Sequence, residues 1–233
     1  MIAENLAAVR ARIEAAATRA GRRSDEVTLV AVTKEVDAAR VAEVITAGVL
    51  DLGENRVQEL QSKQSALAGA LVQWHMIGTL QRNKVAQVVG RVALIHSVDS
   101  LTLGEAIGTR AAGGGQAQDV LLEVNASGEL SKHGVALADS MEAAGRLLDI
   151  EGLHLRGLMT IAPEGDPRAA REVFRTLREL GDRLKQRAGH AAELSMGMSE
   201  DFEIAIEEGA TIVRIGSAIF GVRAEAHGAR ASN

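Results

Sequence analysis

The chain has 233 residues, a net charge of −5, no Cys, no Tyr, three Phe and one Trp. That length suffices for one sizeable core, and the missing residue types exclude disulfides, thiolate metal sites, a cysteine nucleophile and any mechanism that needs a phenol. The negative charge argues against a general nucleic-acid binder, and no run approaches the roughly 18 apolar residues of a membrane span.

Residues 1–23 (MIAENLAAVRARIEAAATRAGRR) read as an Ala-rich helix that mixes Glu with Arg. They lack the apolar stretch of a signal peptide, so a cytoplasmic location is expected. Short β-type runs then alternate with longer helical stretches. VTLVAVT (27–33) precedes a helix around 38–47, and VLDLG (49–53) leads to one that runs through Glu59. VQWHMIG (72–78) precedes a helix starting near Gln81, and VALIHSVD (92–99) one over 101–111. QDVLLEVNA (118–126) is followed by a helix at 138–148, and LHLRGLMTI (153–161) by one from 167 to 188. ELSMG (193–197) precedes a helix at 200–208, and TIVRIGS (211–217) closes the series.

Eight strands separated by helices predict an α/β chain with parallel strands and right-handed crossovers. Eight such units favour closure into one (β/α)8 TIM-type barrel carrying an extra N-terminal helix. An open doubly wound sheet is the alternative. Gly113, Gly114 and Gly115 fall between a helix and the next strand, on the face opposite to where such folds bind ligands, and read as a turn.

Barrel sites form where strands end and βα loops begin. In this chain those positions carry Lys34, the run Gly53-Glu54-Asn55-Arg56, His75, Ser97, Asp99, Asn125, Thr160, Ser195 to Ser199 and Arg214 to Ser217. Strand alternation puts Thr28, Val30, Val32 and Lys34 on one face. A lysine above an inward apolar file is partly desolvated, which lowers an amine's pKa and makes it a Schiff-base nucleophile. The same lysine could equally extend to solvent. The loops after strands seven and eight are a frequent phosphate site in barrels. Ser199 reads there as a helix N-cap, while Gly216 admits an anion close to the backbone and Ser217 adds a hydroxyl. Glu200 and Asp201 must turn away from any such dianion. Arg214 shares a strand face with Gly216. If that face is inward, its guanidinium needs either a carboxylate such as Glu54 or a cofactor ring nitrogen. His75, His96 and His154 show no metal spacing and read as strand histidines with local partners, and no G-x-S-x-G elbow marks a serine hydrolase.

Together the segments AVTKEV (31–36), LGENRVQEL (52–60), WHMIGTLQRNK (74–84), HSVDS (96–100), SKHG (131–134), GLMTIAP (157–163) and LSMGMSEDFEIAIEEGATIVRIGSAIFG (194–221) resemble the pyridoxal phosphate homeostasis proteins (the YggS/PROSC family). These share the barrel of alanine racemase's N-terminal domain. The resemblance implies a fold type III domain over 1–223 that binds pyridoxal 5′-phosphate (PLP), with 224–233 as a disordered tail. It implies an internal aldimine on Lys34, Arg214 facing the pyridine nitrogen, Ser199, Gly216 and Ser217 holding the phosphate, and Asn55 lining the pocket. The family often has Thr where this chain has Ser217.

Alanine racemase needs a tyrosine from another domain, and these 233 residues offer neither. Arg214 would also leave the ring nitrogen unprotonated and the ring a weaker electron sink. The expectation is therefore a non-catalytic PLP carrier in vitamin B6 homeostasis, a monomer or weak dimer. Its candidate partners are PLP-requiring apo-enzymes, with no nucleic acid or membrane. A racemase-like enzyme using His75 or a loop residue as base is the alternative, and a Schiff-base aldolase on a phosphorylated sugar a further one.

Overall fold

The computed structural model describes residues 1–129, 133–190 and 192–221, so the expected tail at 224–233 and part of the SKHG run lie outside the described residues. The strands are β1 (Thr28–Val32), β2 (Asp51–Glu54), β3 (Gln73–Met76), β4 (Leu94–Val98), β5 (Gln118–Asn125), β6 (Val135–Ala136), β7 (Leu153–Met159), β8 (Glu193–Ser195) and β9 (Ile212–Ile215). Eight of them form a closed sheet in the order β4-β3-β2-β1-β9-β8-β7-β5, with β5 pairing back to β4. Every pairing is parallel. The (β/α)8 barrel is therefore present, and the open-sheet alternative is not. The two-residue β6, which pairs with the end of β5, had no sequence signal.

Helices α1 (Ile2–Arg19), α2 (Ala38–Thr46), α3 (Val57–Ala66), α4 (Leu101–Ala112), α5 (Ser140–Leu148), α6 (Pro167–Ala188), α7 (Phe202–Glu207) and α8 (Ser217–Phe220) surround the sheet. The helix expected near Gln81 is instead a 3-10 segment, Arg82–Gln87. The ends of α6 follow from local chemistry. Asp166 accepts from the N–H groups of Arg168 and Ala169, Pro167 sits in the first turn, and Gly189 ends the helix in the left-handed region at φ 76°. The last two units have helices of only six and four residues. The N-terminal α1 makes up that cover. Its buried file Ile2, Leu6, Val9, Ile13 and Ala16 recurs at three- and four-residue spacing and lies against α7 and α8. Asn5 donates to the Ile219 carbonyl, and Arg12 pairs with Glu203 while stacking 4.4 Å above the Phe202 ring.

Alternation along each strand divides the core in two. Outward residues such as Ala31, Leu52, Trp74, Met76, Ile95, Val120, Val213 and Ile215 pack under the helices. Inward ones form a separate cluster of Val30, Leu94, Leu121, Met159 and Ile212. The wall is irregular at β5–β7, where Val120 pairs with Leu155 but Leu121 with Gly157, leaving Arg156 as an extra residue. At Gly157 a Cβ would collide with the Glu193 backbone on β8. Gly157→Ala is therefore expected to destabilise the fold by about 1–3 kcal/mol, the usual cost of overpacking. The change would appear as a lower urea midpoint, and an unchanged midpoint would contradict this packing.

Candidate functional site

Closure of the barrel pairs β1 with β9, placing Val30 opposite Arg214 and Ala31 opposite Ile215. The chain around the C-terminal ends of β1, β7, β8 and β9 then converges on one cleft of about 630 Å³. Lys34, Ser199, Arg214, Gly216 and Ser217 all line it, with Val32 forming part of its floor. Five of the six expected site residues therefore meet, although up to 183 positions separate them in sequence. Asn55 is not on this wall. It follows β2, and its Oδ1 is buried without a hydrogen-bond partner. Gly78 lies against it so closely that a Cβ would stand 2.6 Å from the Asn55 Cβ.

The residues on either side of Lys34 are gripped from the helix layer. Glu54 points outward from β2 and meets Lys63 of α3 at 2.5 Å. Lys63 Nζ also donates to the Thr33 carbonyl at 2.6 Å, and the Thr33 hydroxyl donates to Glu54 at 2.5 Å. On the other side, the Glu35 N–H donates to Glu59 Oε2 at 2.7 Å. That bond holds Glu35 at φ 59°, a conformation that costs a non-glycine residue about 1–3 kcal/mol. Burial pushes the Glu54 carboxyl up in pKa, against the pull of Lys63 and Thr33.

Arg214 points into the barrel. It is 5 % exposed, and burial lowers its pKa to about 10 against the opposing pull of Glu123 and Asp201, so it is still a cation at neutral pH. Its Nη1 donates to Ser195 Oγ at 2.6 Å and its Nη2 to the Thr160 carbonyl at 3.0 Å. Glu54 is thus not its partner, because alternation along β2 sends that carboxylate to the helix side. Glu123, also inward, is raised to about 7 by burial and by the nearby Asp99, with His133 and Arg214 pulling the other way.

Two details differ from expectation. Ser199 does not cap the helix that follows it, since α7 begins three residues later. Its Oγ instead accepts from the Ala218 N–H at 3.3 Å, tying the strand-eight loop to α8 and leaving its own proton available to donate. His75 belongs to no C-terminal loop. It lines a depression of about 300 Å³ at the opposite, N-terminal mouth, so it is no candidate base for chemistry in the cleft. Asp201 lines the cleft but turns its carboxylate to the Met198 N–H at 2.6 Å. Among the described residues no cluster could hold a metal ion, and no helix is long and apolar enough to cross a membrane.

Lys63→Met leaves the Glu54 carboxylate buried and unpaired. Breaking a buried pair in this way is expected to cost about 3–5 kcal/mol, and pairing it with Glu54→Leu should recover most of the loss. Urea titration of both variants tests this. A single substitution with wild-type stability would contradict the clamp.

Residues 5–224 match the family model described as alanine racemase, N-terminal domain. The chain is 45% identical over 222 residues to a pyridoxal phosphate homeostasis protein of Aquifex aeolicus, covering 94% of this chain and 97% of that one. It is 42% identical over 226 residues to the protein of that name from Escherichia coli K12, covering 95% and 97%. Among solved structures, PipY of Synechococcus elongatus with PLP bound superposes with a TM-score of 0.83 at 35% identity, over 95% of this chain and all of that one. A family model spanning nearly all the described residues and relatives above 40% identity lead to one conclusion: this chain belongs to the family of the pyridoxal phosphate homeostasis proteins.

Proposed function

We propose that this chain holds PLP covalently on Lys34 in the C-terminal cleft and serves intracellular PLP homeostasis as a reservoir or carrier, without turning over amino acids. The observation that carries the reading is the convergence of Lys34, Arg214, Ser199, Gly216 and Ser217 on one cleft. Relatives bearing the homeostasis name and a PLP-bound PipY support it.

The donor set suits the ligand. The Ser199 and Ser217 hydroxyls can donate to a phosphate, and Gly216 lets it approach the backbone. Neither Glu200 nor Lys34 is needed for that contact. Arg214, buried and cationic, presents N–H groups to the ring nitrogen, and a guanidinium can only donate. It therefore favours an unprotonated ring nitrogen. Asn55, with an unpartnered buried oxygen one strand away, is assigned to the pocket's edge. Bound PLP supplies an aldehyde that condenses reversibly with amines. Lys34 is the amine that the clamp around Thr33 and Glu35 holds at the cleft.

Proton transfer at an amino acid's Cα needs an acid–base group on each face for inversion. Each such group contributes about 10²–10⁴-fold. Lys34 can serve one face. The chain contains no tyrosine for the other, and His75 lies at the far mouth. Release and recapture of PLP remain, with apo-enzymes that require PLP as recipients.

The test incubates PLP-loaded protein with single L-amino acids in deuterated water, following Cα deuteration and optical rotation. The expected result is a spectral response to the amine without racemisation. Turnover near or above about 1 s⁻¹, typical of working enzymes, would overturn the carrier reading.

A further inference from the structure

The barrel lumen contains a file of polar side chains that the proposed function does not use. Asp51 on β2 stands at the N-terminal mouth, where it lines the 300 Å³ depression beside His75 of β3. Its Oδ1 is 3.1 Å from His75 Nε2, and His75 Nδ1 is 2.9 Å from His96 Nε2 on β4. His96 Nδ1 is 2.8 Å from Ser195 Oγ on β8, which accepts from Arg214 Nη1 on β9 at 2.6 Å. The file crosses an otherwise aliphatic interior of Val30, Leu94, Leu121, Met159 and Ile212. His96 and Ser195 are fully buried and His75 is 5 % exposed.

The two ends fix the direction of every bond between them. A guanidinium can only donate and a carboxylate can only accept. Asp51 therefore takes the proton of His75 Nε2, leaving Nδ1 bare. His96 Nε2 must carry a proton to donate to it, so His96 Nδ1 is bare in turn. The Ser195 hydroxyl donates to that nitrogen, and its oxygen accepts from Arg214. The reverse tautomers would set a bare His75 nitrogen against the Asp51 carboxylate and leave the Ser195 proton without an acceptor in the file. Both imidazoles are then neutral. Burial agrees for His96, since desolvation, the neighbouring His75 and Arg214 all hold its pKa well below the ordinary imidazole value. Asp119, Glu123, Glu193 and Asp201 also face the lumen or its mouths, but none of them is hydrogen-bonded to the two rings.

We infer that Asp51, His75, His96 and Ser195 form a one-directional hydrogen-bond chain that holds the Arg214 guanidinium from the opposite mouth of the barrel. They are thereby positioning residues for the group that meets the cofactor's ring nitrogen. The inference rests on the reading above that Arg214 faces that nitrogen. Arg214 has one fixed contact at Nη2, the Thr160 carbonyl, and the chain supplies the second at Nη1. Two contacts fix the plane of the fork, whereas one leaves it free to turn.

Two measurements test the inference. In ¹⁵N-labelled protein without PLP, two-bond ¹H–¹⁵N spectra are expected to show His75 and His96 both as the neutral Nε2–H tautomer. Asp51→Asn, at a half-exposed rim position, should let His75 take mixed tautomers, because an amide can donate or accept. A wild-type Nδ1–H tautomer or imidazolium at neutral pH for either ring would overturn the inference, with no reference to PLP. The second measurement compares the affinity of PLP with that of its 1-deaza analogue, in which a C–H replaces the ring nitrogen. In Ser195→Ala and His96→Leu the preference for PLP should fall by about tenfold, the loss expected for one hydrogen bond to a charged group. Affinity for the analogue should stay within about twofold. Unchanged preference in folded variants overturns the inference alone. A wild-type protein that binds both ligands equally overturns the Arg214 reading and the inference with it.

Discussion

A cation buried inside the barrel is the constraint around which the site is organised. An isolated charge in a low-dielectric interior is costly, so the lumen around Arg214 cannot be a wholly aliphatic plug. The wall answers with Ser195 and the Thr160 carbonyl in direct contact, and with Glu123 and Asp201 close enough to offset part of the desolvation. The result is a mixed interior. Val30, Leu94, Leu121, Met159 and Ile212 supply ordinary hydrophobic stability, while a polar file runs among them to Arg214, which lines the cleft. Such a file adds little net stability, because the contacts largely offset the charge's own desolvation. What it supplies is a donor fixed in place before any ligand arrives.

The lysine is held by different means. Lys34 lies just past the end of β1, where a strand gives way to a loop and would ordinarily be free to move. The Glu54–Lys63–Glu59 group fastens the residues before and after it, using both the carbonyl and hydroxyl of Thr33 and the N–H of Glu35. The amine and the guanidinium are therefore positioned independently, one from the helix layer and one from the lumen. Closure through the β1–β9 pairing brings them to the same cleft. Val32 packs against Gly216 at that seam, and Ser199 and Ser217 both line the cleft beside it.

Much of this was legible in the sequence where the signal is local. Alternation in VTLVAVT foretold the inward register of Val30 and Val32, and the helix expected over 167–188 is α6 with the same bounds. Five of the six expected site residues fall on one cleft because they lie in or just past the C-terminal ends of the neighbouring strands β1, β8 and β9. What escaped depends on distances across strands. His75 was read as a strand histidine with local partners, which it is, but also counted at the ligand-binding end, whereas it lines the opposite mouth. Trp74 and Met76 on either side of it face the helices, so alternation sends it into the lumen. Its pairing with His96 also requires the stagger between β3 and β4, which no local pattern records. The Glu54–Lys63 contact joins a strand to the following helix, and the Glu59 and Lys63 spacing was its single visible trace. Ser199 looked like the cap of the helix that follows it because serine is a natural N-cap, but its hydroxyl accepts from the Ala218 N–H of α8 instead.

The most direct measurement of the central claim is the covalent address of the cofactor. The protein is loaded with PLP, reduced with borohydride, digested and mapped by mass, with Lys34→Ala carried through the same procedure. The account expects the pyridoxyl mass on the peptide containing Lys34 alone, and an unlabelled Lys34→Ala protein that is still folded. A label on Lys63, Lys84, Lys132 or Lys185 in place of Lys34, or a Lys34→Ala variant that labels as fully as the wild type, would contradict it.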